Sequence, residues 1–492
     1  MGITIESSGA GKLEADVLVV PLVEGARELP AGLDEALRAR LTPLLEDGEL
    51  IGEFCTATLV HVGDGPVRRV AVAGLGKRHR IDGDSVRTAM TEAVRATRRV
   101  GGTIAWLVDD SLPISGEEQA RAAADGLVLG AYDPGQWRSK ELDPAKPFER
   151  LVIVGAASDA AERAARVGQW ANRARDLSNA PANELTPARL AERAAEYAQA
   201  VGNLTVEAFG RKEIEELGMG AFAGVAQGAH NEPRLIVMRY DPADAIANVT
   251  LGLVGKAITF DSGGISLKPA LGMENMKGDM SGGGAVIAGM CAIADLEVPV
   301  RAIAVIASAE NMPGGHAFRP GDILHAMNGM TIEIVNTDAE GRLALADALW
   351  YARQQGATHI ADLATLTGAM ALALGDFYGG MFANDDAWAD HLLAAAEASG
   401  DHLWRFPLHP RYRRYVDSTY ADMKNSSDLH EASPALAAEF LREFTGEGPW
   451  AHLDIAGPAF LDRSRGDYLW QAGGSGYGVR LIAELASRFS DG

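Results

Sequence analysis

Apolar and polar positions in the first third of the chain follow two distinct periods. Apolar runs at 15–23 (ADVLVVPLV), 55–62 (CTATLVHV), 68–75 (RRVAVAGL), 102–110 (GTIAWLVDD) and 151–157 (LVIVGAA) read as strands. Between them, 84–100 (DSVRTAMTEAVRATRRV) and a stretch around 117–130 have helical spacing. Strands separated by helices predict an α/β layer with a largely parallel sheet. Residues 158–204 read as mostly helical, broken by LSNAPANELTPARL, where Thr186 is placed to cap a helix starting at Pro187. A second α/β series follows. Its expected strands are 204–209, 233–240, 248–260, 300–310, 358–368 and 451–457, and its helices 281–296, 343–355 and 477–489. A domain junction is expected near 155–180. Acids and glycines gather where the later strands end, which is where open α/β sheets bind ligands.

Length and composition add limits. A chain of 492 residues exceeds one small core, so two or three domains are expected. A formal charge of −22 argues against nucleic acid or an anionic membrane as the main partner. Cys55 and Cys291 are the only cysteines and lie in apolar surroundings, which predicts buried thiols rather than a disulfide framework. The start, MGITIESSGAGKLEAD, has no apolar signal region, and no later run of 18 apolar residues is uninterrupted. A cytoplasmic protein without a membrane span is therefore expected.

Several motifs fail on inspection. His430-Glu431 begins a zincin-like fragment, but Pro434 replaces the second histidine and would interrupt its helix. Neither FDSGGIS nor DMSGGG supplies a serine-hydrolase elbow. SSGAGK at 7–12 resembles part of a phosphate loop without a preceding strand, and GGSGYG at 473–478 reads as a turn before the last helix.

The dense region is 254–286, VGKAITFDSGGISLKPALGMENMKGDMSGGGAV, together with NTDAEGRL at 336–343. Lys256 interrupts an apolar strand, Asp261 follows the strand end, and Gly263 and Gly264 permit a sharp path to Lys268. Asp279 directly precedes a glycine-rich helix start. Read as extended, NTDAEGRL would put Asp338, Glu340 and Arg342 on one face. Each residue alone has a plain structural reading. Asp261 or Asp279 would serve as a cap or turn former, and Lys256 as a snorkelling residue or half an ion pair. Glu340 and Arg342 could pair with each other, and Lys268 could be a loop charge. Their accumulation at strand ends leaves two readings, a structural ion network and a metal hydrolase with paired divalent cations. The second draws on carboxylates being hard ligands and on a lysine beside cations losing its proton.

These two segments resemble the leucyl aminopeptidase (cytosol aminopeptidase) family of dinuclear metallopeptidases. NTDAEGRL is that family's signature, and GKAITFDSGGISLKP is similar to its other metal-binding stretch. The likeness extends to LSNAPANELTP, QGAHNEPRL, ADLATLTGA and HLDIAGPA, spanning roughly 165–492. It implies an α/β protein of two domains: a smaller N-terminal α/β domain over 1–160, a connecting helical segment over 161–185, and a larger catalytic α/β domain over 186–492 with a mixed central sheet flanked by helices.

Carried over by position, the resemblance implies a tighter metal site of Lys256, Asp261, Asp279 and Glu340. A more exchangeable one would use Asp261, Asp338 with its backbone carbonyl, and Glu340. Lys268 is similar to the lysine that steadies the oxyanion, and Arg342 to the arginine that holds a bicarbonate acting as general base. Met276, Thr365, Gly368 and Ala456 resemble the pocket wall for the N-terminal side chain, and Asn336 a residue bonding near the scissile peptide. The expected partners are peptides with a free N-terminus, and the expected cofactors two divalent cations per subunit, manganese before zinc. The resemblance also implies a homohexamer. Departures at Ala257, Gly278, 426–434 and Ala459 bear on substrate range rather than mechanism. The expected reaction is hydrolysis of the N-terminal residue, leucine or a similar apolar residue, by a metal-activated water. The alternatives are a two-metal phosphoester hydrolase and a DNA-binding regulatory protein.

Overall fold

The computed structural model describes residues 3–490 except 10–12, 64, 141–144 and 428–430. The end of SSGAGK and His430 of the zincin-like fragment therefore lie outside the described residues. Two compact units are present, one of residues 1–172 with 463–471 and the other of 173–462 with 472–492.

The first unit carries β1 (Thr4–Ser8), β2 (Val17–Val23), β3 (Ala57–His61), β4 (Arg69–Gly76), β5 (Gly102–Leu107) and β6 (Phe148–Val154) in the order β1-β6-β5-β2-β4-β3. All neighbours are parallel except β3 with β4. Alternate residues of β2 explain the layering. Val17 and Val19 pack with α2 (Gly83–Thr97) and α3 (Gly116–Gly130), while Leu18, Val20 and Leu22 share a core with Leu41 of α1 (Glu35–Glu46). Helix α4 (Asp159–Asn179) follows β6.

The second unit opens with α5 (Pro187–Val201), which Thr186 caps by accepting from the Arg189 N–H, as its sequence predicts. The strands that follow are β7 (Thr205–Phe209), β8 (Arg234–Tyr240), β9 (Thr250–Asp261), β10 (Arg301–Asn311), β11 (Ile323–His325), β12 (Thr331–Glu333), β13 (His359–Ala364), β14 (Gly379–Ala383), β15 (Leu403–Arg405), β16 (Met423–Lys424), β17 (Trp450–Asp454), β18 (Phe460–Leu461) and β19 (Gly473–Gly474). The helices are α6 (Arg211–Glu216), α7 (Gly220–Val225), α8 (Ser281–Asp295), α9 (Gly341–Gln354), α10 (Gly368–Leu374), α11 (Asp386–Ser399), α12 (Ser433–Arg442) and α13 (Val479–Ser490).

Eight strands form a mixed sheet in the order β15-β14-β17-β13-β9-β10-β8-β7, parallel through β17-β13-β9-β10. β9 is buried on both faces, as its near-continuous apolar run requires. Val254 and Ile258 join the core that α9 covers, whereas Gly255 and Ala257 meet Gly283 of α8 on the other face.

Three sequence expectations change. NTDAEGRL is not extended: β12 ends at Glu333, residues 336–340 turn, and α9 begins at Gly341. Cys55 is half-buried rather than buried, at φ 61°, while Cys291 is buried as expected. Pro434 does not interrupt a helix but sits in the first turn of α12, where its missing N–H costs no hydrogen bond.

Candidate metal centre

The two central parallel strands deliver the site. β9 carries Lys256 in its middle and Asp261 at its end, and β10 beside it ends at Asn311, paired with Asp261. Asn311 is buried and donates through Nδ2 to Asp261 Oδ1 at 2.8 Å, to the Thr337 carbonyl at 3.0 Å and to Glu340 Oε2 at 3.4 Å. One amide thus holds the strand end against the NTDAEGRL turn.

The loop after β9 is laced to the same turn. Thr337 Oγ1 accepts from the Ser266 N–H at 2.8 Å and donates to the Gly263 carbonyl at 2.6 Å. Gly263 has φ 85°, and a Cβ there would stand 2.5 Å from the Ser266 carbonyl oxygen, so only glycine fits. This path brings Lys268 back over the strand end.

Four carboxylates and two ammoniums converge. Lys256 Nζ lies 2.7 Å from Asp279 Oδ2 and 3.0 Å from Glu340 Oε1, and donates to the Thr365 carbonyl at 3.0 Å. Lys268 Nζ lies 2.8 Å from Asp261 Oδ2 and 2.6 Å from Asp338 Oδ1. Carboxylate oxygens of Asp261, Asp338 and Glu340 come within 4.8 Å of one another, a spacing that can hold a metal ion. Thr365 Oγ1 donates to Asp279 Oδ1 at 2.7 Å, so this expected pocket residue also orients an acid.

The electrostatics register an excess of negative charge. Burial, reinforced by Asp261, pushes Glu340 up to about 8 despite Lys256. Burial also pushes Asp279 up to about 6, with Lys256 opposing. Burial raises Asp338 as well. For Lys256, burial favours the neutral amine, but Asp279, Glu340 and Asp261 outweigh it and raise its pKa. Two ammoniums cannot balance four acids, and hard divalent cations on these oxygens would. The donor set fits such ions.

Arg342 points from the first turn of α9 toward the same cavity and is 5% exposed. It donates to the Asn425 carbonyl at 2.9 Å, while its Nε has no hydrogen-bond partner. Burial lowers its pKa to about 10, against the pull of Glu340 and Asp454. Of the residues expected in the substrate pocket, Met276, Asn336, Thr365, Gly368 and Ala456 all line one cavity of about 400 Å³ with the charged cluster. Asn336 uses its side-chain oxygen to accept the Asp338 N–H at 2.9 Å, which shapes the turn. Ala459 is buried and does not line the cavity; its neighbour Phe460 does.

Sequence reasoning missed the residues that hold this arrangement. Asn425 is wholly buried; its Oδ1 accepts from Val335 N–H at 2.9 Å and its Nδ2 donates to the Asn336 carbonyl at 2.6 Å. Asp454, wholly buried at the end of β17, accepts from Thr367 Oγ1 at 2.5 Å, Leu366 N–H at 3.2 Å and Ala456 N–H at 3.2 Å. The signal for Asp454 is an acid inside the apolar run AHLDIAG, whereas Asn425, in ADMKNSSD, has none.

Fold and donor set define the class: an α/β protein with a mixed sheet, whose cavity gathers carboxylates that suit divalent metal ions. Residues 172–483 match the model of the cytosol aminopeptidase family's catalytic domain, and residues 19–141 that of its N-terminal domain. The chain is 44% identical over 490 residues to a probable cytosol aminopeptidase of Solibacter usitatus, covering 99% of each chain. It is 42% identical over 495 residues to one of Roseiflexus castenholzii, covering 98% of each. Among solved structures it resembles a tomato leucine aminopeptidase variant, with a TM-score of 0.87, 32% identity and 99% and 96% of the two chains covered. It also resembles the bottromycin maturation enzyme BotP in complex with Mn, with a TM-score of 0.86, 35% identity and 97% and 100% covered. The chain belongs to the cytosol aminopeptidase family. It is a metal-dependent aminopeptidase, which disfavours the phosphoesterase and DNA-binding alternatives.

Proposed function

We propose that this cavity removes an N-terminal leucine or similar apolar residue from peptides with the help of two divalent cations. The observation that carries the proposal is the convergence of Asp261, Asp338 and Glu340 between two lysines, with Asp279 completing the group. Lys256, Asp261, Asp279 and Glu340 would hold the tighter cation. Asp261, Asp338 (side chain and carbonyl) and Glu340 would hold the exchangeable one. When bound, such ions supply the Lewis acidity that makes water nucleophilic near neutral pH and polarises the scissile carbonyl. Manganese is our first assignment and zinc the second.

The chain's own groups do the rest. Lys268 has three N–H donors, of which Asp261 and Asp338 engage two; the third is free to meet the oxyanion as negative charge develops. Arg342 keeps an unpartnered N–H on a buried guanidinium beside the cavity, a fit for a planar anion such as bicarbonate. Held by Arg342, such an anion would supply general-base chemistry at the cavity. Met276, Gly368 and Ala456 offer apolar wall for the departing residue's side chain, with Asn336 near the peptide to be cut. Family resemblance further supports a cytoplasmic homohexamer. Among the described residues no helix is long and apolar enough to cross a membrane.

The test is metal analysis, then activity after chelation and single-metal addback, on matched peptides with free and acetylated N-termini. Free termini should be cleaved only with metal restored. Equal cleavage of acetylated peptides would refute the exopeptidase reading.

A further inference from the structure

Gly278 and Phe460 interlock at the cavity wall. Gly278 belongs to the 3-10 turn Met273–Met280, which also carries Met276 and Asp279, while Phe460 lies on β18. A Cβ at Gly278 would stand 2.4 Å from Cδ2, 2.7 Å from Cγ and 3.0 Å from Cε2 of the Phe460 ring. The ring edge therefore fills the space a side chain at 278 would take.

The backbone of Phe460 is held on both sides. Its residue pairs with Gly474 of β19, and the Ser475 N–H donates to the preceding carbonyl, of Ala459, at 3.0 Å. On the other side Asp462 Oδ1 accepts from Asn275 Nδ2 at 2.9 Å, tying the strand end to the 3-10 turn. The open side is the cavity, which Phe460 lines with Met276, Gly368 and Ala456. A larger residue at 278 would thus push the ring toward the bound side chain.

We propose that Gly278 and Phe460 together set the width of the subsite for the substrate's N-terminal side chain. The glycine recess holds the ring back and keeps the subsite open to large apolar side chains such as leucine, methionine and phenylalanine. This deepens the aminopeptidase reading and rests on it. The residues that would hold the cations keep the roles given above.

The test compares kcat/KM for leucyl, methionyl, phenylalanyl and alanyl p-nitroanilides in the metal-loaded wild type, G278A, F460A and the double variant, with metal content measured for each. In G278A the leucine-to-alanine ratio should fall by about tenfold or more, the scale for one methylene in an apolar pocket. F460A should raise the phenylalanine-to-leucine ratio by a similar factor, and the double variant should behave like F460A. If G278A does not fold, F460A and F460L decide. Ratios unchanged in F460A at normal metal content would overturn the proposal. So would a uniform loss over all four substrates in G278A with lowered metal content, which would assign the pair to the ion site. A metal-loaded wild type inactive on every substrate would refute the aminopeptidase reading instead.

Discussion

Lys256 from the middle of β9 meets Glu340, the residue that opens α9, at 3.0 Å, with side-chain exposures of 3% and 1%. A strand interior and a helix start are thereby joined by opposite charges that are both almost fully buried. Such a pair is costly to assemble and costlier to break, because either partner left alone is a buried, unbalanced charge.

Lys256→Met should destabilise the chelated protein by about 3–5 kcal/mol, the range for removing one partner of a buried pair. Asp279 and Glu340 would lose their nearest ammonium. Urea unfolding in the presence of chelator measures it. A midpoint equal to wild type would show that the acids do not depend on Lys256.

Lys268→Ala should lower kcat by roughly 10²–10³-fold, the effect of losing one oxyanion donor, with KM little changed. Steady-state kinetics on a leucyl anilide, with metal content confirmed, gives the answer. Full turnover in this variant would contradict the assignment.

Asn425→Ala should strip partners from the Val335 N–H and the Asn336 carbonyl, both held by its side chain. Buried groups left unsatisfied cost about 1–3 kcal/mol each. We expect a lower melting temperature together with reduced activity, because the turn that carries Asp338 and Glu340 loosens. Normal activity with unchanged melting would reject the role.

Asp347 gives a pH-dependent prediction away from the ions. Burial pushes its carboxyl up to about 7, although the Met327 and Phe222 N–H groups it accepts from oppose the shift. The folded state therefore binds a proton more tightly than the unfolded state. Stability from this group is fully present below its unfolded value, near 4, and is lost as pH rises through about 7. Asp347→Asn removes that titration. The stability difference between wild type and variant should shift against wild type by a few kcal/mol between pH 4 and pH 7.5, on the order of the linked pKa change. A pH-independent difference would show that Asp347 does not titrate there.

Much of this was legible in the chain. β9, β10 and α8 fall where their periodicity places them, and with them Lys256, Asp261 and Asp279. Other elements carry weaker signals. β14 reads GGMFA, with two glycines and no β-branched residue, yet it lies wholly buried between β15 and β17. Helix α1 shows little pattern because Leu41 alone among its residues is fully buried.

The sequence by itself determined the alternating strands and helices, the donor types and their order, because periodicity and residue chemistry are local properties. The tertiary structure alone decided that NTDAEGRL turns rather than extends. Asn311 and Asn425, distant in the chain, supply hydrogen bonds to it, and the acids it presents pair with lysines arriving from β9 and the loop beyond. Long-range pairing of polar groups leaves no period to read.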